Sequence, residues 1–161
     1  NNTEYPYLFW EANAPHGVFT FNVDQSFCVK KDVLTSFLTE KLAVLGLNKK
    51  ESADFIEFWV PLLTGDSFKM YPYVMVEFME ENYTDLAALH IHPQPDQVIR
   101  VFANFQLSAE PIICGEPELT PVTRMDHGRV VVEWGGTERV PDSMPTVGTS
   151  VKAPHYAMHT G

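Results

Sequence analysis

The chain has 161 residues, of which 45% are hydrophobic, a size and composition that suit one domain with a sizeable core. Its formal net charge is −10, from 21 acidic and 11 basic residues. Phosphate binding requires clustered lysine and arginine, so this charge argues against nucleic acid and against an anionic membrane surface as partners. No apolar run approaches the roughly 20 residues that span a bilayer, and we expect no membrane-spanning segment.

The first residues predict a β-hairpin. Residues 5–12 and 18–23 have strand-like patterns, and "APHG" between them has turn residues. The short apolar stretch 26–29 then leads into a helix.

Two helices follow, joined at Gly46 to Asn48. The first begins near Asp32, a candidate cap, and has apolar residues at helical spacing; Gly46 suits a left-handed C-terminal position. Asn48 and Glu51 form a capping-box pattern for the second helix, in which Pro61 predicts an end or a kink. The sequence therefore predicts a helical hairpin.

The rest of the body reads as short strands separated by Pro, Gly, Asn and Asp: 73–81, 88–93, 97–105, 110–115 and 129–135. Strands before and after one helical pair predict an α+β fold. We expect a mainly antiparallel sheet or sandwich over residues 1–138, with the helical hairpin packed on one face.

Residues 139–161 differ in composition, being rich in Pro, Ser, Thr and Gly. They predict an extended C-terminal tail or linker, or a donated strand. A strand over 146–152 would place Val147 and Val151 on one face, as an assembly interface with another copy.

Several features favour an extracellular or cell-surface location. Asn1 and Asn82 begin N-glycosylation sequons, which makes attached N-glycans possible partners. Cys28 and Cys114 are an even pair that forms either a disulfide or two buried free thiols. The chain starts without Met or a signal peptide, so we expect a processed or excised piece of a longer protein.

Candidate chemistry is sparse. His90 and His92 are two apart on a predicted strand and could bind a metal with Glu77 or Glu81; two solvated imidazoles are the alternative. His155 and His159 have the spacing of one helical face, with exposure as the alternative.

A cluster of acidic residues could act as the catalytic carboxylates of a glycosidase, bind calcium, or form a solvated face: Glu77, Glu80, Glu81 and Asp85. Without a nucleophile elbow or a phosphate-binding loop, we expect neither an enzyme nor a cofactor.

The segment "RVVVEWGGTE", residues 129–138, predicts the last strand of the body. Gly135 and Gly136 would permit a bend, and Trp134 would anchor that bend in the core. Arg100 lies mid-strand and needs an acidic or carbonyl partner if buried. Asp96, nearby in sequence, and Glu133, on another strand, are equally good candidates.

Five segments together suggest a family: "YLFWEA" (7–12), "FCVKKDVLTSFLTEKLAVLGLN" (27–48), "DFIEFWVPLL" (54–63), "PQPDQVIRVFANF" (93–105) and "VVVEWGGTE" (130–138). In this order they resemble a family of uncharacterised secreted or lipid-anchored microbial proteins. The resemblance covers nearly all of residues 7–138. It implies a single domain outside the cytoplasm and no catalytic residue.

The functional hypothesis is a non-enzymatic extracellular structural or interaction domain, a protomer of a surface fibre assembled through its C-terminal tail. In this hypothesis other copies of the chain are the partner. Two alternatives stay open: a secreted carbohydrate-binding or hydrolytic domain, and a metal-binding surface domain.

Overall fold

A computed structural model describes residues 20–80 and 87–141 with positions 83 and 85, and residues 8–11 and 151–159 by their backbone alone. These ranges contain six strands and two helices: β1 (Leu8–Glu11), β2 (Ser26–Lys30), α1 (Leu34–Val44), α2 (Lys49–Thr64), β3 (Tyr73–Phe78), β4 (Gln97–Ser108), β5 (Val130–Arg139) and β6 (Val151–His159). The strands form one sheet in the order β1-β6-β5-β4-β3-β2. Only the β4–β5 pair is parallel, which confirms the predicted α+β fold with a mainly antiparallel sheet.

The core lies between the two helices and one face of the sheet. Alternate residues of β4 point into it, since strand side chains alternate between faces: Ile99, Val101, Ala103, Phe105 and Leu107. The helices bury one side chain per turn against them: Leu34, Leu38 and Leu42 from α1, and Phe55, Trp59 and Leu63 from α2. Several of these aromatic rings contact one another, with centroids 5.1 Å apart for Trp59 and Phe105.

The helix junction forms as its sequence predicts. Gly46 has φ +92°, and a Cβ there would lie 2.8 Å from Val122 Cγ1. The Asn48 side chain accepts from the Glu51 N–H, and the Glu51 carboxylate accepts from the Asn48 N–H. The prediction that Asp32 caps the first helix is wrong. A 3₁₀ turn over Lys31–Val33 precedes α1, and Val33 occupies the N-cap position.

Three predicted strands do not form. In the described part of 18–23, residues 20–22 are irregular and Val23 begins a 3₁₀ turn. The predicted hairpin is therefore wrong, and β1 pairs with β6 instead. Segments 88–93 and 110–115 lie outside the sheet. Their apolar residues do not build the core, and Ile113 is 95% exposed.

The connection 109–129 between the parallel strands β4 and β5 is irregular but bonded to the body at several points. The Gly115 N–H donates to Val23 O and the Glu116 N–H donates to Ser26 O. Arg124 binds the buried Glu51 carboxylate through two hydrogen bonds of 2.7 and 3.1 Å. These bonds keep the connection close to β2 and α2.

The segment "RVVVEWGGTE" is an inner strand, with both glycines inside β5 and not at its end. A Cβ at Gly136 would lie 2.3 Å from Ala103 O and 3.0 Å from Trp59 Cζ2. Close packing against β4 and α2 therefore explains this glycine better than the predicted bend. Trp134 is buried in the core, as expected.

The C-terminal segment joins the sheet of its own chain. Strand β6 pairs antiparallel with β5 from Val130↔His159 to Thr137↔Val151, and β1 pairs with its other edge. Residues 151–159 thus extend the body, while 142–150 lie outside the described residues.

Candidate functional site

The sheet face opposite the helices carries a line of buried polar side chains. Ser26, Glu77, Asn104 and Thr137 lie opposite one another in register on four adjacent strands. Asn104 Nδ2 donates to Glu77 Oε2 at 3.1 Å, and Thr137 Oγ1 donates to Asn104 Oδ1 at 2.7 Å. We call these four residues the polar row. Glu77, Asn104 and Thr137 are joined by these bonds, and the Ser26 hydroxyl donates to Val23 O. Hydrogen bonds within the protein thus satisfy the buried polar groups of the row.

Of the two candidate partners of Arg100, Glu133 forms the ion pair, on the same face. Arg100 and Glu133 are opposite in register, and Arg100 Nε donates to Glu133 Oε2. Tyr83 completes the group, because its hydroxyl donates to Glu133 Oε1 at 3.2 Å and its ring lies 4.5 Å from the Arg100 guanidinium carbon. The Tyr83 ring also stacks on Phe102. This ion pair is enclosed by protein groups that satisfy it.

Glu77 is a buried carboxyl whose affinity for protons is raised. Burial raises the pKa of the Glu77 carboxyl above its usual range, against the opposing effect of bonds from the Asn22 N–H and the Asn104 amide. Glu80, in contrast, is exposed and accepts from the Thr120 N–H at 3.1 Å. The two residues therefore point to different partners, and Asp85 is exposed. Glu81 lies outside the described residues.

The predicted histidine site is not assembled. His90 and His92 are exposed and lie in an irregular segment, so the strand that would have aligned them is missing. Across the described residues, no three side chains of His, Cys, Asp or Glu come together in a group able to hold a metal ion. His155 and His159 belong to β6, a strand and not a helix.

The two cysteines lie on neighbouring segments but are free thiols, so the predicted disulfide is not formed. The Ile112 N–H donates to Cys28 Sγ at 3.4 Å. Burial raises the pKa of the Cys114 thiol, and a hydrogen bond with Ser26 opposes that shift. Each sulfur thus has its own polar neighbour. The sequon residues Asn1 and Asn82 lie outside the described residues.

The edge of the sheet formed by β2 has main-chain N–H and C=O groups that point away from the neighbouring strand. Strand β2 is the last strand of the sheet, and the Lys31 N–H donates to Pro72 O on the β3 side. Because antiparallel pairing alternates, the N–H groups of Cys28 and Lys30 and the C=O of Cys28 face outward. Within the described part of the chain, the connection 109–129 bonds to the main chain of this edge at the Ser26 carbonyl, and its Ile112 N–H contacts the Cys28 side chain.

A groove of about 600 Å³ runs between this edge and α1. Its lining includes the rings of Phe27 and Phe37, which are in edge-to-face contact at 5.2 Å, and Lys41 Nζ lies over both rings. Its other lining residues are Cys28, Val29, Lys30, Val33, Ser36, Glu40, Lys41 and Glu116. Two lysines and two glutamates line it, so its charge is balanced although the whole chain carries −10. We call this surface the β2–α1 groove.

The groove was not predicted from the sequence. Residues 26–29 were expected only as a short apolar stretch, and nothing local to them indicates that their strand would lie at an edge. The one available signal is "KK" at positions 30–31, since lysine is common on exposed edge strands.

Of the predicted assembly residues, Val151 begins β6, opposite Thr137. Val147 lies outside the described residues. No helix within the described ranges has the length and apolar character needed to cross a membrane.

A comparison of the chain with protein-family models, curated proteins and solved structures finds no match.

Proposed function

We propose that this chain is a non-enzymatic structural or interaction domain of the extracellular space, whose copies associate by strand addition. In this proposal the C-terminal segment of one copy pairs with the outer edge of β2 in the next, inside the β2–α1 groove. The single observation that supports it best is the outward main-chain edge of Cys28 and Lys30, which no described segment pairs with, beside the rings of Phe27 and Phe37. Only an extended backbone offers donors and acceptors at the matching spacing.

The composition of the donor segment supports the same proposal. Residues 146–151, "TVGTSV", combine β-branched side chains with small ones, and 140–152 contain one acid and one lysine. A neutral segment entering a charge-balanced groove avoids the repulsion that two acidic copies otherwise exert. Val147 and Val151 would share one face of the added strand. The head-to-tail contact would build an open fibre.

Location outside the cell is part of this proposal. The sequons at Asn1 and Asn82 support it, and the glycans they would carry remain a proposed modification. A mass decrease on glycosidase treatment of the protein from its native source would test this part.

Lys30 provides a sharp test of strand addition. Its backbone has φ −66° and ψ 141°, which proline adopts without strain, and its N–H points away from β3. Lys30→Pro therefore removes an outward donor and leaves the β2–β3 pairing intact. We expect it to weaken self-association about tenfold or more, through the lost hydrogen bond and the steric block of the ring. Sedimentation velocity over a concentration series measures this.

Lys30→Ala is the matched control, because it removes the same charge and keeps the N–H. It should associate nearly as the parent chain does. On the donor side, Val147→Asp should weaken association without touching the described sheet. If the parent chain stays monomeric at all concentrations, or if the proline and alanine variants associate equally, the proposal fails.

A further inference from the structure

The proposed donor segment overlaps a strand that is already paired. Val151 lies opposite Thr137 at the start of β6, and β6 is bonded to β5 on one side and β1 on the other. A segment whose main chain is used in its own sheet cannot pair with a second sheet at the same residues. Donation by 146–151 therefore requires at least the first β6 pairs to open.

The pairing of β6 is interrupted at its centre. Trp134 pairs with His155 and Gly136 with Lys152, so Ala153 and Pro154 together face the single Gly135. The same two residues interrupt pairing with β1, between Phe9↔His155 and Glu11↔Lys152. Proline has no N–H to donate, and a bulge is where a sheet tolerates it. The main-chain pairing of β6 with β5 and its pairing with β1 are thus both weakest at Ala153 and Pro154.

The outer neighbour of β6 is short. Strand β1 has four residues, and three register pairs join it to β6. Eleven residues separate Arg139 at the end of β5 from Val151 at the start of β6. Fully extended they would span roughly 35 Å, which is enough for β6 to leave its position without disturbing β5.

We propose that pairing of β6 within its own sheet holds the C-terminal segment back from other copies, and that association requires its release. This inference rests on the proposed function, since it concerns the donor of the same contact. While β6 is paired, it also covers the edge of β5, which would otherwise offer a long row of free main-chain groups. Release exposes that edge and is unfavourable in a lone copy, so the paired position keeps copies apart.

A reversible crosslink between β5 and β6 tests this inference. Thr137 and Val151 lie opposite each other in register at the start of β6, where donation would have to open the pairing, and a disulfide between opposite positions fits the spacing of paired strands. The variant is the full chain with Thr137→Cys and Val151→Cys, and with Cys28→Ser and Cys114→Ser to remove competing thiols. Its oxidised form keeps β6 in place and its reduced form does not.

At equal concentration, we expect the association constant of the oxidised form to be lower than that of the reduced form by a factor of about ten or more. Adding a reductant to the oxidised sample should restore association. Mass spectrometry under non-reducing conditions confirms that the crosslink lies within one chain. The reduced form is its own matched control, because the sequence is identical.

The outcomes separate the two proposals. Equal association of oxidised and reduced forms overturns the inference, and the Lys30→Pro comparison then decides the proposed function independently. Crosslinks that join different chains, seen as a ladder of multimers, also overturn it, because β6 would then sit in a neighbour's sheet. If neither form associates and the parent chain does not, the proposed function itself fails.

Discussion

At the scale of single residues, the buried carboxyl of Glu77 on the second sheet face makes the stability of the fold depend on pH. Glu77 is 6% exposed, and burial raises the pKa of its carboxyl. A carboxyl with a raised pKa binds its proton more tightly in the folded chain than in the unfolded chain. Its protonation therefore stabilises the fold, and the charged form costs stability at neutral pH.

Glu77→Gln should remove this dependence. Both hydrogen bonds to Glu77, from the Asn22 N–H and Asn104 Nδ2, end on Oε2, and a glutamine amide oxygen can accept both. We expect the variant to be more stable than the parent at pH 7. The difference should shrink as pH falls through the raised pKa towards the unfolded value of about 4.3. Urea unfolding at a series of pH values measures it.

Glu77→Ala gives the matched comparison, because it loses the charge and the acceptor together. It should be destabilised at every pH, since two donors lose their partner. The charge of Arg139 also acts on Glu77 and lowers the pKa of its carboxyl. A Glu77→Gln variant less stable than the parent at pH 7 would show that this attraction and the bonds to the charged form outweigh the cost of burial.

At the scale of elements, α2 is a helix with good signals at its start and a poor residue near its end. The capping box at Asn48 and Glu51 satisfies its first N–H groups. Pro61 lies within the helix, which continues to Thr64. The expected end near Pro61 thus comes three residues later. The buried side chains of Trp59 and Leu63 on either side explain why the helix passes through the proline.

Pro61→Ala should therefore stabilise the protein. Alanine restores an N–H that can bond the carbonyl four residues back, which is worth about 3 kcal/mol in a helix interior. Greater freedom of the unfolded chain offsets up to about 1 kcal/mol. We expect a net rise in the free energy of unfolding of about 2 kcal/mol, measured by urea unfolding.

Glu57→Ala is the control on the same helix, because Glu57 is exposed as Pro61 is. It should change the unfolding free energy by no more than about 0.5 kcal/mol. A destabilised Pro61→Ala variant would mean that the proline ring contributes packing that alanine cannot replace.

At the scale of the whole molecule, charge opposes the association that we propose. Each copy carries −10, so two copies repel at long range. The β2–α1 groove has two lysines and two glutamates, so the contact itself contributes little net attraction of charge. Salt should act mainly on the long-range repulsion, because the screening length is about 10 Å at 0.1 M.

Raising NaCl from about 0.02 M to about 0.5 M should therefore strengthen self-association of the full chain. Light scattering coupled to size-exclusion chromatography measures the mass distribution at each salt concentration. Association that weakens with salt would instead point to ion pairs across the contact, and would contradict the neutral strand addition that we propose.

The sequence by itself determined those features that depend on neighbouring residues. The helical hairpin followed from apolar spacing, the capping box and the position of Gly46, because each acts within one or two helical turns. The strands β3, β4 and β5 followed from β-branched and aromatic runs. That Arg100 needs an acceptor also followed, because a buried guanidinium requires one. The choice of Glu133 over Asp96 came from the β4–β5 register.

The tertiary structure decided which strands are neighbours, and with that everything about the candidate site. Ser26, Glu77, Asn104 and Thr137 are far apart in sequence and meet only through strand register. The same holds for the open edge of β2 and for the position of β6 between β5 and β1. Local propensity says that a segment can be a strand. It does not say which partner it takes, because main-chain pairing is nearly independent of side-chain identity and is decided by how the whole chain packs.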